Sequence, residues 1–77
     1  MSRRFAYVLE DMTTGDRHRA DTMKEAKMLA KARSMETGHV VAIIAVDTID
    51  NDWHPQGAYY GRSWREGAYH YAPHAGK

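Results

Sequence analysis

The chain has 77 residues, a formal net charge of +1 at pH 7 and no cysteine. This length predicts one small domain, residues 1–77, which buries only about 60% of its unfolded surface. The lack of cysteine excludes disulfides and thiolate zinc sites, and the small charge argues against strong electrostatic binding of nucleic acid. No apolar run reaches the roughly 18 residues of a membrane span. The basic start has no signal-peptide core behind it, so we expect an intracellular, cytoplasmic protein.

The first predicted element is a β-hairpin. Residues 4–11 alternate as a strand does, with larger apolar side chains on one side. Residues 12–16 form a turn in which Gly15 is free to adopt a positive φ. Residues 17–20 then return as a short polar strand, which is typical of an edge strand. The apolar side of the first strand consists of Phe5, Tyr7 and Leu9.

A helix is predicted between Thr22 and Gly38. Thr22 and Glu25 fit a capping box, in which both side chains satisfy free backbone donors. Good helix formers follow, and Gly38 is the expected left-handed stop. Residues placed at 100° intervals predict an apolar face centred on Ala26, Leu29 and Ala32. The opposite, solvent side would carry Lys24, Lys27, Lys31 and Ser34.

Residues 40–46 are the most hydrophobic stretch, and they do not alternate. A strand that is apolar on both faces is usually central and covered on both sides. One helix covers only one side of a sheet. We therefore expect the other side to be covered by the aromatic C-terminal segment or by a second copy of the chain.

An aromatic segment, residues 49–72, follows a predicted strand–strand–helix–strand core over residues 4–48. It contains six of the chain's eight aromatic residues, among glycine, histidine and arginine. Residues 47–56 are predicted to be a turn-rich crossing. A Gly-Ala-Tyr motif, repeated ten residues apart, suggests a final hairpin around residues 62–66. Residues 73–77 are expected to fray.

These patterns together predict an α+β fold. A small antiparallel sheet of three or more strands would carry one helix on one face. The aromatic segment would add strands to this sheet or cover it.

The aromatic segment also predicts a surface for a partner. Tryptophan, tyrosine and arginine are the residues that dominate protein-interface hot spots. The same residues could stack on single-stranded nucleic acid, although nearby acidic residues argue against a phosphate-binding groove. We expect partial burial of the rings. The predicted contact residues are Trp53, Tyr59, Tyr60, Arg62, Trp64 and Arg65, and a second, basic surface would consist of Arg17, Arg19, Lys24, Lys27 and Lys31.

Neither a metal site nor a catalytic site is predicted, and we expect no cofactor. His70 and His74 have a four-residue spacing, but Pro73 between them removes the helical geometry that would bring them together. No nucleophile elbow or phosphate loop frames Ser63 and His54. We therefore expect a protein that is not an enzyme.

Residues 19–30 read Arg-Ala-Asp-Thr-Met-Lys-Glu-Ala-Lys-Met-Leu-Ala. This segment resembles a group of very small phage-encoded proteins in which a polar hairpin leads through a Thr-capped, Ala-rich helix to a last strand. Over residues 5–46 the pattern is similar to that of the T-odd coliphage inhibitors of host RNA polymerase and of small anti-CRISPR proteins. The resemblance implies a compact, non-catalytic protein that blocks a host machine. It carries over no functional residue, because the aromatic segment has no counterpart.

The leading hypothesis is a non-enzymatic binding protein of phage or mobile-element type that docks on a larger host protein and inhibits or modulates it. One alternative is a small single-stranded nucleic-acid-binding protein that uses the same aromatic residues. A second alternative is a homodimeric structural domain whose interface is the second face of residues 40–46.

Overall fold

A computed structural model describes residues 4–67 of the chain. Within these residues, five strands form one antiparallel sheet in the spatial order β2-β1-β3-β4-β5, and one helix packs on one face of this sheet. The predicted α+β fold is therefore confirmed. The elements in chain order are β1 (Phe5–Asp11), β2 (Arg17–Ala20), α1 (Met23–Thr37), β3 (Val40–Asp47), β4 (Trp53–Tyr60) and β5 (Ser63–Glu66).

The sequence predictions for residues 1–3 and 68–77 lie outside the described residues. They include the predicted partial burial of Tyr69 and Tyr71, the argument against a metal site at His70 and His74, and the expected fraying of residues 73–77.

The face of the sheet that carries α1, called the helix side below, holds the larger core. Tyr7 and Leu9 of β1 pair with Ala45 and Ile43 of β3, and all four side chains lie on this side because directly opposed residues share a face. This confirms the predicted alternation of β1. The buried residues of this core are Leu9, Ala20, Ala26, Ala30, Val41, Ile43 and Tyr59.

The opposite face, called the helix-free side below, holds a second cluster of small and branched residues. Ala42, Ile44 and Ala58 are each at most 2% exposed there, and Val40, Val46, Met12 and Tyr60 pack against them. β3 is thus the central strand and buries apolar side chains on both faces, as its continuous apolar sequence predicts.

The helix is capped as predicted but presents a different face to the sheet. The Thr22 hydroxyl accepts from the Glu25 amide at 3.1 Å, and Gly38 adopts φ 78°. The predicted orientation of α1 is wrong, because Leu29 and Ala32 are exposed. The helix rests on its smallest side chains, which let its axis approach the sheet closely. The buried residues of α1 are Ala26, Ala30 and Ser34.

The aromatic segment extends the sheet. The turn after β3 is shorter than predicted, because residues 53–56 belong to β4 and pair with β3. The final hairpin exists, but its turn lies at Gly61 and Arg62, and most of the predicted turn is β5. An unpaired edge of a long apolar strand such as β3 would leave backbone donors and acceptors unsatisfied. β4 pairs with β3 from Val40 to Val46, with one irregularity between Ile43 and Ile44.

Candidate protein-binding face

Two of the predicted contact residues belong to the core. Tyr59 is 8% exposed, and its ring lies 5.0 Å from that of Trp64, centroid to centroid, at 50°. Trp64 is half-buried, and the Lys27 ammonium lies 4.7 Å from the centroid of its ring. The contact of Tyr59 with a partner stays a prediction, and its buried ring offers almost no surface for it.

Trp64 also fills the space above Gly57. Gly57 has φ 154°, and a Cβ at this position would lie 2.7 Å from the Trp64 ring and 2.5 Å from the Arg65 carbonyl oxygen. Only glycine allows this backbone geometry and this close approach. The indole thus replaces the missing side chain and joins β5 to the helix-side core.

The helix-free side carries the other two rings among the predicted contact residues, Trp53 and Tyr60, and each ring is paired with an arginine. The Arg17 guanidinium carbon lies 5.2 Å from the centroid of the Trp53 ring, and that of Arg65 lies 4.9 Å from the centroid of the Tyr60 ring. These are cation–π distances. Trp53 is 41% exposed, so its ring is available at the surface.

The Arg17–Trp53 pair covers part of the helix-free side of the sheet. Arg17 belongs to β2 and Trp53 to β4, so their side chains meet across the two strands between them. The sequence predicts that the aromatic C-terminal segment covers this face of the sheet. Trp53 of that segment, together with Arg17, provides part of this cover.

The charged strand residues of the helix-free side are mainly positive in the described part of the chain. Register places Arg17 opposite Glu10, Arg19 opposite Val8, and Arg65 opposite Ala58. Glu10 is buried, and its carboxylate lies 3.7 Å from Arg17. We call this surface the arginine–aromatic face, and its residues are Arg17, Arg19, Trp53, Tyr60 and Arg65.

The predicted second basic surface does not form one patch. Arg17 and Arg19 point to the helix-free side, whereas Lys24, Lys27 and Lys31 belong to α1 on the opposite side of the sheet. Lys24 and Lys31 are exposed. Arg62 is exposed in the turn between β4 and β5.

Sequence reasoning missed an exposed apolar stripe on α1. Met28 is 62% exposed and Met35 is 56% exposed, with the exposed Ala32 between them in sequence. Their spacing of about two helical turns places them on one outer face. The correct periodicity of the buried small residues would have revealed this stripe, because it lies away from Ala26, Ala30 and Ser34.

A buried carboxylate organises the end of the sheet nearest the C-terminus of α1. Asp11 accepts hydrogen bonds from Arg33 Nε at 2.8 Å and His39 Nδ1 at 2.9 Å. It also accepts from the amides of Thr13 and Thr14. Burial alone would raise the pKa of Asp11, but these donors together hold it well below its usual range. The same pairing raises the pKa of Arg33.

A second carboxylate ties the start of β1 to the turn after β3. Arg4 Nε donates to Asp47 at 3.0 Å, and the amides of Ile49 and Asp50 donate to the same carboxylate. The Arg4 hydrogen bond, followed by the Ile49 amide, lowers the pKa of Asp47 to about 2. Both aspartates hold turns in place by accepting hydrogen bonds from turn amides.

The described part of the chain contains neither a group of metal ligands nor a membrane-spanning helix. Within residues 4–67, no group of three or more histidine, aspartate or glutamate side chains is placed to hold a metal ion. Over the same residues, no helix is long and apolar enough to cross a membrane.

Comparison with protein-family models, with curated proteins and with solved structures finds no match to this chain.

Proposed function

We propose that this chain is a non-enzymatic binding protein that docks on a larger host protein through its arginine–aromatic face and inhibits or modulates that protein. The observation that carries the proposal is the pair of arginine–ring contacts, Arg17–Trp53 and Arg65–Tyr60, on the sheet face that α1 leaves uncovered.

The residue types of this face are those that supply binding energy at protein interfaces. Tryptophan, tyrosine and arginine are enriched among hot-spot residues, and a few of them carry most of the free energy of association. An exposed cation–π pair contributes about 0.5–1 kcal/mol, and about 2 kcal/mol or more when water is removed from it. A partner that covers Trp53 and Arg17 would strengthen their contact by excluding water.

The charge of the face selects the kind of partner. Its three arginines outnumber its one strand carboxylate, Glu10, which is buried beside Arg17. A partner surface with carboxylates at its rim and an apolar centre would complement this arrangement. Such complementarity gives specificity and speeds association more than it raises affinity.

The resemblance of residues 5–46 to small phage-encoded inhibitors supports the direction of this effect. A protein of this size can obstruct a larger machine by occupying part of its surface. We therefore place the partner in the host cytoplasm and the protein among phage or mobile-element inhibitors.

The test is affinity capture followed by a binding measurement with the identified partner. The tagged full chain is incubated with nuclease-treated host lysate, and the captured protein is purified and titrated. Trp53→Ala with Arg65→Ala should weaken the binding by about 30-fold or more, because two contact residues that contribute more than about 1 kcal/mol each total more than about 2 kcal/mol. Lys24→Ala with Lys31→Ala, which removes two exposed charges from α1, should change the affinity by less than about twofold.

A third variant tests the competing surface on α1. Met28→Gln with Met35→Gln leaves the arginine–aromatic face intact and should not affect binding. If this variant abolishes capture while the Trp53 and Arg65 double variant binds normally, the partner docks on the helix and the proposal fails.

Single-stranded nucleic acid is the second candidate ligand, because rings and arginines on one sheet face also form a base-stacking platform. Against it, Arg17 and Arg65 already lie over the two rings. Three arginine–phosphate contacts would give a slope of about −2 in log affinity against log salt concentration. If a labelled oligonucleotide binds with this slope and no protein is captured, the ligand is single-stranded nucleic acid and the proposal of a protein partner fails.

Sedimentation of the purified chain tests the homodimer alternative, which requires a dimer.

A further inference from the structure

The helix side of the sheet carries an open depression, called the slot below, whose lining residues all belong to strands. Its volume is about 380 Å³, and it is lined by Phe5 and Tyr7 of β1, Ala45 of β3, and His54 and Gln56 of β4. This volume lies within the range of small-molecule sites, which is about 300–1,000 Å³. The slot lies on the opposite side of the sheet from the arginine–aromatic face.

Strand register explains the shape of the slot. Tyr7, Ala45 and His54 form one row across three adjacent strands, because Tyr7 pairs with Ala45 and Ala45 pairs with His54. A small residue thus lies between two ring-bearing residues. Strands are about 4.8 Å apart, so the two ring-bearing residues are about 10 Å apart at the backbone. A planar ring needs about 7 Å between the atoms that cover its two faces, so one ring fits above Ala45.

An irregularity in β4 adds Gln56 to the lining of the slot. Ile44 pairs with Pro55 and Ile43 pairs with Gly57, so Gln56 is an extra residue at a β-bulge. Bulges re-aim side chains and are over-represented beside functional sites. Here the bulge brings the Gln56 side chain into the lining next to His54.

The lining offers polar edges as well as ring faces. Among residues 4–67, no hydrogen bond is found on the Tyr7 hydroxyl or the His54 ring, while Gln56 Nε2 donates to the His54 carbonyl oxygen at 2.9 Å and leaves Oε1 as an acceptor. A purely apolar ligand would bury these groups without partners, which is costly. A ring with donors and acceptors on its edge satisfies them.

The neighbouring charges favour a neutral ligand. The Arg4 guanidinium carbon lies 5.9 Å from the centroid of the Phe5 ring, and Arg4 forms salt bridges with Asp47 and Asp50. These three side chains together carry one positive and two negative charges. A phosphate group would therefore meet net repulsion at this end of the slot.

We propose that this slot is a binding site for a neutral planar heteroaromatic ring, such as a nucleobase or an uncharged nucleoside, stacked above Ala45 between Tyr7 and His54. This site is independent of the proposed protein-binding function, because it shares no residue with the arginine–aromatic face. Its ligand binds by stacking and edge hydrogen bonds, with no chemical step.

The test is NMR titration of the full, ¹⁵N-labelled chain with adenosine, adenosine monophosphate and indole. Adenosine should bind saturably with a Kd on the order of 1 mM, as expected for a ligand that buries one base. The shifted amides should be those of the slot residues and their strand neighbours. The monophosphate should bind severalfold more weakly, because its charge meets the carboxylates beside Phe5.

Three variants locate the site. Ala45→Leu fills the floor and should abolish binding, whereas the same change at the exposed Ala32 should leave the Kd within about twofold. His54→Ala should weaken binding by roughly tenfold, because one stacking wall is lost. Since His54 is exposed, this variant keeps its fold and tests the site even if Ala45→Leu does not fold.

Three outcomes would overturn the proposal. The first is the absence of saturable shifts with adenosine, and the second is a set of shifts that the His54→Ala variant leaves unchanged. The third is saturable binding of indole without binding of adenosine, which would make the slot a receptor for an aromatic side chain. The Trp53→Ala, Arg65→Ala variant should bind adenosine normally, so that failure of the protein-binding proposal is distinguishable from failure of this one.

Discussion

Asp11 shows how one residue can hold three parts of a small fold. Its side chain is fully buried, and its donors come from the turn after β1, from α1 and from His39, the residue before β3. Because an ionised carboxylate only accepts hydrogen bonds, the Nδ1 atom of His39 must carry the proton in this contact. A residue that contacts so many elements should couple their stability to its own ionisation.

The pH dependence of stability follows from this coupling. The folded state holds the pKa of Asp11 well below its usual range, and that of Asp47 to about 2. An unfolded aspartate has a pKa of about 3.9, so the unfolded chain binds more protons as the pH falls through this value. The stability that both carboxylates provide is complete above about pH 5 and is lost progressively below about pH 4.

Asp11→Asn should reduce this acid sensitivity. The variant should lose about 2–3 kcal/mol of unfolding free energy at pH 7, because Arg33 and His39 lose a charged acceptor. Between pH 7 and pH 3 it should then lose less stability than the parent chain, as urea unfolding at each pH would measure. Asp52→Asn, the same change at an exposed position, should keep the parental profile. If the parent chain and Asp11→Asn lose the same unfolding free energy between pH 7 and pH 3, Asp11 is not a source of the acid sensitivity.

At the scale of elements, Ser34 fixes α1 on the sheet. Its hydroxyl donates to the His39 carbonyl oxygen at 2.7 Å, with the Tyr59 carbonyl oxygen at 3.2 Å, and it accepts from the Gly61 amide at 2.6 Å. One buried hydroxyl thus connects the end of the helix to the approach to β3 and to the end of β4. This explains why a polar residue lies on the buried face that the sequence assigned to Leu29.

Replacing Ser34 by alanine tests this connection. Ser34→Ala should destabilise the protein by about 1–3 kcal/mol, because it leaves the partly buried Gly61 amide without its acceptor. Ser63→Ala, the same change at an exposed position of β5, should change the unfolding free energy by less than about 0.5 kcal/mol. Urea denaturation followed by circular dichroism measures both. Equal effects would mean that the Ser34 hydrogen bonds contribute nothing measurable.

At the scale of the whole molecule, the described part of the aromatic segment, residues 49–67, is divided between the two faces of the sheet. Tyr59 and Trp64 close the core under α1, whereas Trp53 and Tyr60 lie on the helix-free side. The division follows from strand periodicity, since Tyr59 and Tyr60 are consecutive in β4 and must point to opposite faces. One short segment therefore contributes both to stability and to the proposed contact surface.

The two tryptophans should respond differently to truncation. Trp64→Ala removes a half-buried indole from above Gly57 and should cost about 2–3 kcal/mol of stability. Trp53→Ala removes an exposed ring and should cost less than about 1 kcal/mol. Thermal unfolding of both variants, under the same conditions, gives the comparison. A larger loss for Trp53 would reverse the division into core and contact residues.

Local sequence patterns predict much of the fold but only part of the candidate site. The capping box at Thr22, the stop at Gly38 and the alternation of β1 depend on neighbours in the chain, so they can be read directly. The face of α1 was mispredicted, because hydrophobicity favoured Leu29 while close packing on the sheet favours small residues. The partners of Trp53 and Trp64 could not be predicted, because Arg17 and Lys27 are far away in sequence.

The sequence by itself determined an α+β fold, a central strand that is apolar on both faces, and an aromatic segment rich in interface residues. Only the tertiary structure decided that this segment extends the sheet, that Tyr59 and Trp64 belong to the core, and that Trp53 and Arg17 meet across the helix-free side. The physical reason is that propensity and periodicity act between near neighbours. Strand order, register and the bulge at Gln56 depend on contacts between distant residues, and these contacts decide which side chains share a surface.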